Sequence, residues 1–202
     1  MSISPNIKIP CGSKIVIATH NSGKAKEIEE LLKPFQIQIY SAKDLNLTEP
    51  EETGSTFHEN AKIKALSAAK AANMTALADD SGFCIDALNG DPGLYSARWA
   101  GPSKDYPMAM RLIHDKLSNH QNWAAYFISV LCIALPNGKT QEFEGRIDGD
   151  FIWPPRGDHG HGYDPVFQPV SYDKTFAEMT DAEKNRISHR ALAFQKFIKT
   201  CF

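Results

Sequence analysis

The chain has 202 residues, 42% of them hydrophobic and 23% charged, which fits an ordinary globular protein and excludes a disordered tail, a collagen-like fibre and a disulfide mini-scaffold. Lys and Arg total 22 against 24 Asp and Glu, a formal net charge of -2. So balanced a chain sets up no global field toward nucleic acid or an anionic membrane, and any charged ligand must be held by a local constellation.

Residues 1–13 read as an N-terminal extension open to partial disorder, and MSISPNIKIP lacks the basic start and apolar run of a signal peptide. Lys14–Thr19 (KIVIAT) is a short β-branched run that predicts a buried strand, closed by the polar loop His20-Asn21-Ser22-Gly23. A helix should follow over about Lys24–Lys33, with Ala25, Ile28, Leu31 and Leu32 on one face; Pro34 discourages its continuation. Thr56-Phe57-His58-Glu59 has capping-box spacing and opens a second helix, which runs through an Ala-rich stretch to about Asn73. Thr75–Ala78 predicts the next strand, ending on Asp79-Asp80-Ser81-Gly82. Asp91-Pro92-Gly93 predicts a turn and Met108–Leu117 a helix.

Ala124–Leu135 predicts a long central strand, too short to span a membrane, which Pro136-Asn137-Gly138-Lys139 turns into a half-exposed strand over Thr140–Ile147. The last helix should begin at Thr180, with capping-box spacing to Glu183 and Ile187, Ala191, Phe194 and Ile198 on its apolar repeat. The class is α/β with a mixed sheet, because the hairpin is antiparallel while the early strands alternate with helices. Cys11, Cys84, Cys132 and Cys201 include no CxxC pair, so neither a disulfide framework nor a zinc site is expected. The default is a soluble protein of a reducing cytoplasm.

Five stretches carry chemistry. Thr19–Lys24 is a Gly-containing loop opening a helix, which aims backbone N–H groups at one point and suits a phosphate; an ordinary strand-to-helix turn reads the same way. It is not a P-loop, since Ala18 stands at the first Gly position and Ala25 follows Lys24. Glu51-Glu52-Thr53-Gly54 precedes the capped helix, on which Asn60 and Lys64 share a face. Asp79 and Asp80 are adjacent carboxylates that a cation would neutralise, and oxygen-only ligands favour Mg²⁺ or Mn²⁺; an acidic surface turn is the alternative. In Gly157–Pro165, glycines at alternate positions permit close backbone approach, and His159-x-His161 has no third ligand at zinc spacing. Glu183–Arg190 places Lys184 on the edge of an apolar stripe, with His189 and Arg190 as donors to a base or phosphate.

In their order, IATHNSGK, EETGSTFHENAKIKA, LADDSGFCIDAL–PGLYSARWAG, GHGYDPVF and EKNRISHR, these stretches resemble the inosine/xanthosine triphosphate pyrophosphatase family, from about Ile15 to Phe197. The resemblance implies hydrolysis of non-standard purine nucleoside triphosphates (ITP, dITP, XTP) to the monophosphate and pyrophosphate. It implies one α/β domain with an elongated mixed sheet, two lobes with the active-site cleft between them, and a homodimer. Carried over, Thr19, His20, Asn21, Ser22, Gly23 and Lys24 hold the triphosphate, with Lys64 and Lys184 adding positive charge and Ser81 a further contact. Glu52 and Asp80, helped by Asp79, bind Mg²⁺ (or Mn²⁺), and Asp80 also orients or deprotonates the attacking water. His161, Gly162, Tyr163 and Asp164 with Ser188, His189 and Arg190 select the base. Two positions depart from the family: His20, where Gly is frequent, and His161, where Phe is usual. The rival readings are a related pyrophosphatase for pyrimidine or modified nucleotides and a nucleotide sensor that does not hydrolyse. Neither nucleic acid nor membrane is an expected partner.

Overall fold

The computed structural model describes residues 6–19, 25, 28, 29 and 31–202. Seven strands form one sheet in the order β2-β1-β3-β5-β6-β7, with β4 paired to β3 off that path. They are β1 (Lys14–Ile17), β2 (Gln38–Ser41), β3 (Thr75–Ile85), β4 (Pro92–Gly93), β5 (Ala124–Ala134), β6 (Thr140–Phe151) and β7 (Phe167–Pro169). β1 runs parallel to both β2 and β3, whereas β4 on β3 and β7 on β6 are antiparallel, so the sheet is mixed as the sequence predicts. After the exposed Lys14, Ile15–Ile17 are continuously apolar because β1 is covered on both faces: Ile15 and Ile17 join one apolar cluster and Val16 another.

Several elements depart from expectation. β3 does not stop at Ala78 but runs through the acidic stretch to Ile85. Its partner β1 ends opposite Leu77, and β4 then pairs with Phe83 and Cys84, so the backbone groups beyond the acidic stretch stay satisfied. Pro92 and Gly93, expected as part of a turn, are that partner. The predicted final helix is two helices, Asp181–Ile187 and His189–Cys201. Ser188 between them is extended (φ -62, ψ 152), and its hydroxyl accepts from the Ala191 N–H at 3.2 Å. It thereby caps the second helix as a serine does best. Strands β2 and β7 and the short helix Ser96–Trp99 were not anticipated.

The helix Phe57–Ala72 is capped as its sequence predicts, Thr56 and Glu59 closing a reciprocal box and Asn73 ending it in the left-handed region. Its small residues Ala61, Ala65, Ala68 and Ala69 pack on Ala76, Ala78, Val130 and Cys132. Asp105 caps Tyr106–Leu117, whose Ala109, Ile113 and Leu117 recur at helical spacing and are fully buried. Around the earlier helix position, Ala25, Ile28, Glu29, Leu31 and Leu32 are helical, with Ile28 and Leu32 fully buried. In the N-terminal extension, Ile7 and Ile9 are buried and the Ile9 N–H donates to the Cys201 carbonyl.

The described residues divide into two compact units, one drawn from Met1–Asp80, Val130–Glu144 and Ala193–Phe202, the other from Ser81–Ser129 and Gly145–Leu192. The first has a cluster of mixed aliphatic and aromatic residues, including Ile15, Leu77, Phe143 and Phe197, besides the alanine-rich one. The second is built on aromatics, among them Phe83, Phe127, Phe167 and Phe176. All four cysteines are free thiols, and only Cys11 is exposed. Among the described residues no helix is long and apolar enough to cross a membrane.

Candidate functional site

In the first unit a buried lysine gathers two carboxylates. Lys64 Nζ donates to Glu52 Oε1 at 2.7 Å and to Asp80 Oδ1 at 2.9 Å, with the lysine side chain only 10% exposed. Each arm has a local cause. Lys64 stands two turns into the capped helix, on its sheet-facing side. Asp80 follows Ala76 and Ala78 at alternate positions of β3, which places it on the face that packs against this helix. Glu52 is brought in by a clamp: Gly54 N–H donates to Asn60 Oδ1 at 2.9 Å, and Asn60 is itself buried on the same helix. The approach is so close that a Cβ at Gly54 would lie 2.6 Å from that oxygen.

Burial is the largest single influence on the Lys64 ammonium and by itself would push its pKa down. The Asp80 charge, the Glu52 hydrogen bond, the Asp79 charge and the Asp80 hydrogen bond together outweigh it, so the pKa stands above its ordinary value and the group is a fixed cation. Asp79 is also buried, and strand alternation places it on the face of Leu77, from which its charge still acts on the Lys64 ammonium. Among the described residues no three His, Cys, Asp or Glu side chains form a metal-holding group. Lys64 also lines a small pocket with Ala18, Leu47, Pro50 and Ala68, so the end of β1, where Thr19 begins the predicted phosphate loop, lies close by. Thr19 is half-buried there; His20, Asn21, Ser22, Gly23 and Lys24 lie outside the described residues.

In the second unit the glycine-rich loop is organised on a second carboxylate–ammonium pair. Asp164 is buried, and its Oδ2 accepts from Lys184 Nζ at 2.5 Å and from the His161 backbone N–H at 2.6 Å. A Cβ at Gly160 would collide with that carboxylate, and one at Gly157 would strike the Ala177 carbonyl, to which the His159 N–H also donates. Lys184 lies 5.3 Å from the centre of the Phe176 ring. Tyr163 is buried against Phe83 (ring centres 5.0 Å apart) with its hydroxyl donating to the Ser96 carbonyl, and burial, followed by Tyr106, pushes its pKa up. His161 is exposed and Gly162 half-buried. His189 is buried, stacked on Phe127 at 4.9 Å with the planes 12° apart, and Ser188 and Arg190 flank it at the helix break.

Residue patterns in the sequence had singled out Asn60 and Gly54 but not their bond, and had missed Phe127, Phe176 and Ser96. The Ser96 hydroxyl accepts from Phe83 N–H at 2.9 Å and donates to the Gly93 carbonyl at 2.6 Å, fixing the segment that supports Tyr163. Its signal was present in the PGLYSAR stretch; Phe127 and Phe176 read as ordinary apolar residues and gave none.

A mixed sheet flanked by helices, two carboxylates meeting one buried ammonium, and a glycine-rich loop pinned to a carboxylate–ammonium pair describe an α/β protein with two charged clusters. The sequence pattern of the Ham1 family matches residues 15–200, and the chain belongs to that family. It is 52% identical to a dITP/XTP pyrophosphatase of Gluconobacter oxydans over 96% of this chain and 93% of the relative. Another dITP/XTP pyrophosphatase, from Agrobacterium fabrum, is 49% identical over 93% and 95% of the two chains. Among solved structures, a HAM1 protein from Coxiella burnetii superposes with a TM-score of 0.88 at 38% identity, covering 93% of this chain and 97% of that one.

Proposed function

We propose that the protein is a Mg²⁺-dependent dITP/XTP pyrophosphatase that converts non-standard purine nucleoside triphosphates to monophosphate and pyrophosphate. The observation that carries this reading is the convergence of Glu52 and Asp80 on a single cation position. Two carboxylates are too few for a dedicated protein cage, but they suit Mg²⁺, which keeps its waters and completes its shell with substrate phosphates. Glu52 and Asp80 would hold the metal, with Asp79 contributing charge. When bound, it supplies charge neutralisation on the polyphosphate and a lowered pKa for bound water.

The chain's own residues do the rest. Asp80 orients or deprotonates the water that attacks at the α,β-anhydride; a new P–O bond forms, the bridging P–O bond breaks, and pyrophosphate leaves. Lys64 and Lys184, with the Thr19–Lys24 loop and Ser81, neutralise the phosphates. On the base side, the Gly160–Asp164 backbone, His161, Ser188, His189 and Arg190 offer donors to the C6 carbonyl of hypoxanthine or xanthine. Adenine presents an amino group there, and a buried donor left unpaired discriminates by about 10⁴-fold. Asp164 acts by holding the loop and Lys184 in place. As the family resemblance implies, two lobes with a cleft would enclose the nucleotide, and the enzyme would be a cytoplasmic homodimer.

The test is pyrophosphate against orthophosphate release from dITP, XTP, GTP and ATP, with and without Mg²⁺. Mg²⁺-dependent pyrophosphate from dITP and XTP, with ATP hardly turned over, is expected. Asp80→Asn should lower kcat by about 10³-fold or more while the protein stays folded. Comparable turnover of ATP, or near-normal activity of Asp80→Asn, would overturn the proposal.

A further inference from the structure

The Lys64 ammonium stands between the Glu52 and Asp80 carboxylates, 2.7 Å from one oxygen and 2.9 Å from the other. Glu52 and Asp80 would hold a Mg²⁺ ion, which approaches carboxylate oxygens more closely than an ammonium does and would compete with Lys64 for them. The two cations would also repel strongly in a site where the lysine side chain is 10% and the Asp80 side chain 13% exposed. Lys64 is rooted in a well-capped helix, but its four-carbon stem can swing. The space it lines with Ala18, Leu47 and Pro50 lies at the end of β1, from which the phosphate loop departs.

We infer that Lys64 is a resident counter-ion that holds Glu52 and Asp80 together in the metal-free protein, and that metal binding displaces its ammonium onto the incoming polyphosphate. Without it, the buried Asp80 carboxylate and the partly exposed Glu52 carboxylate would face each other across one small space, a costly arrangement. With it, a bare divalent ion must compete against a tethered cation. The metal is therefore taken up well only when a polyphosphate gives the ammonium another anion to pair with. This rests on the reading of Glu52 and Asp80 as the metal ligands.

Mn²⁺ binding followed by electron paramagnetic resonance, on the full chain and without nucleotide, tests it independently of turnover. Wild type should bind Mn²⁺ weakly and Lys64→Met about tenfold or more tightly, while Lys64→Arg, which keeps the charge, should stay weak. Adding tripolyphosphate should tighten Mn²⁺ binding far more in wild type than in Lys64→Met. If Lys64→Met fails to fold, Lys64→Gln retains a donor without the charge and serves the same comparison. Mn²⁺ binding no tighter in the neutral variants than in wild type, though abolished by Glu52→Gln, would overturn the displacement and leave the metal site standing. Tight Mn²⁺ binding in Lys64→Met that survives both Glu52→Gln and Asp80→Asn would instead overturn the ligand assignment and the displacement with it.

Discussion

Removing the Asn60 amide tests whether the site is built by the helix as argued. Asn60→Ala deletes the acceptor that lies 2.9 Å from the Gly54 N–H and leaves that partly buried donor without a partner. A lost net hydrogen bond costs about 1 kcal/mol, and a stranded buried donor brings the total to about 2 kcal/mol. For a chain of this size that corresponds to a melting temperature lower by about 4–8 °C, measurable by calorimetry or thermal circular dichroism. Glu52, two residues before Gly54, loses its fixed approach to Lys64. A displacement on the order of 1 Å at such a group can cost about 10²-fold in rate. The expected result is a fall in kcat/KM for dITP of roughly ten- to a hundredfold, with more Mg²⁺ needed for half-maximal activity. Gly54→Ala should act in the same direction, because its Cβ would lie 2.6 Å from the Asn60 amide oxygen and 2.6 Å from Glu59 Cβ. Combined with Asn60→Ala it should cost less than the sum, since the first of those collisions is gone. Unchanged Mg²⁺ dependence in Asn60→Ala would show that Glu52 is positioned by something else.

Burial pushes the thiols up, Cys84 and Cys201 to about 11 and Cys132 to about 12, so at pH 8 they should be inert in the folded protein. A thiol-disulfide reagent should label only the exposed Cys11 in native protein and all four after urea; more than one fast-reacting thiol in native protein would contradict the packing. The Glu183 carboxylate is held at about 2, against an ordinary 4.5, chiefly by the backbone N–H and hydroxyl of Thr180 and then by Lys174. Its depressed pKa means its contribution is fully present above about 4.5 and lost as the pH falls toward 2. Glu183→Gln should therefore unfold at lower urea than wild type at pH 7, with a gap that closes through that acid range. A gap independent of pH would refute the capping role.

Much of this protein is legible from neighbouring residues alone. The Thr56–Glu59 and Thr180–Glu183 boxes cap their helices where the spacing places them, because a cap is a hydrogen bond between residues three apart. KIVI declares itself a strand covered on both faces, and the residue types of Glu52, Lys64, Asp80, Asp164 and Lys184 announce charge chemistry. Tertiary structure decided the rest, since each outcome depends on a distant partner. β3 continues past the acidic stretch between β5 on one side and β4, which returns to pair with Phe83 and Cys84, on the other. The final helix breaks at Ser188, which an unbroken apolar repeat concealed. Asp79 and Asp80 look equivalent in sequence, yet pleating sends them to opposite faces: Asp80 hydrogen-bonds Lys64, whereas Asp79 acts on it through its charge. Asp164 and Lys184 look like separate ligands for a base and a phosphate, and they are bonded to each other. The near-neutral net charge hid two such buried pairs, because composition counts charges while only the fold sets which of them lie within a hydrogen bond of one another.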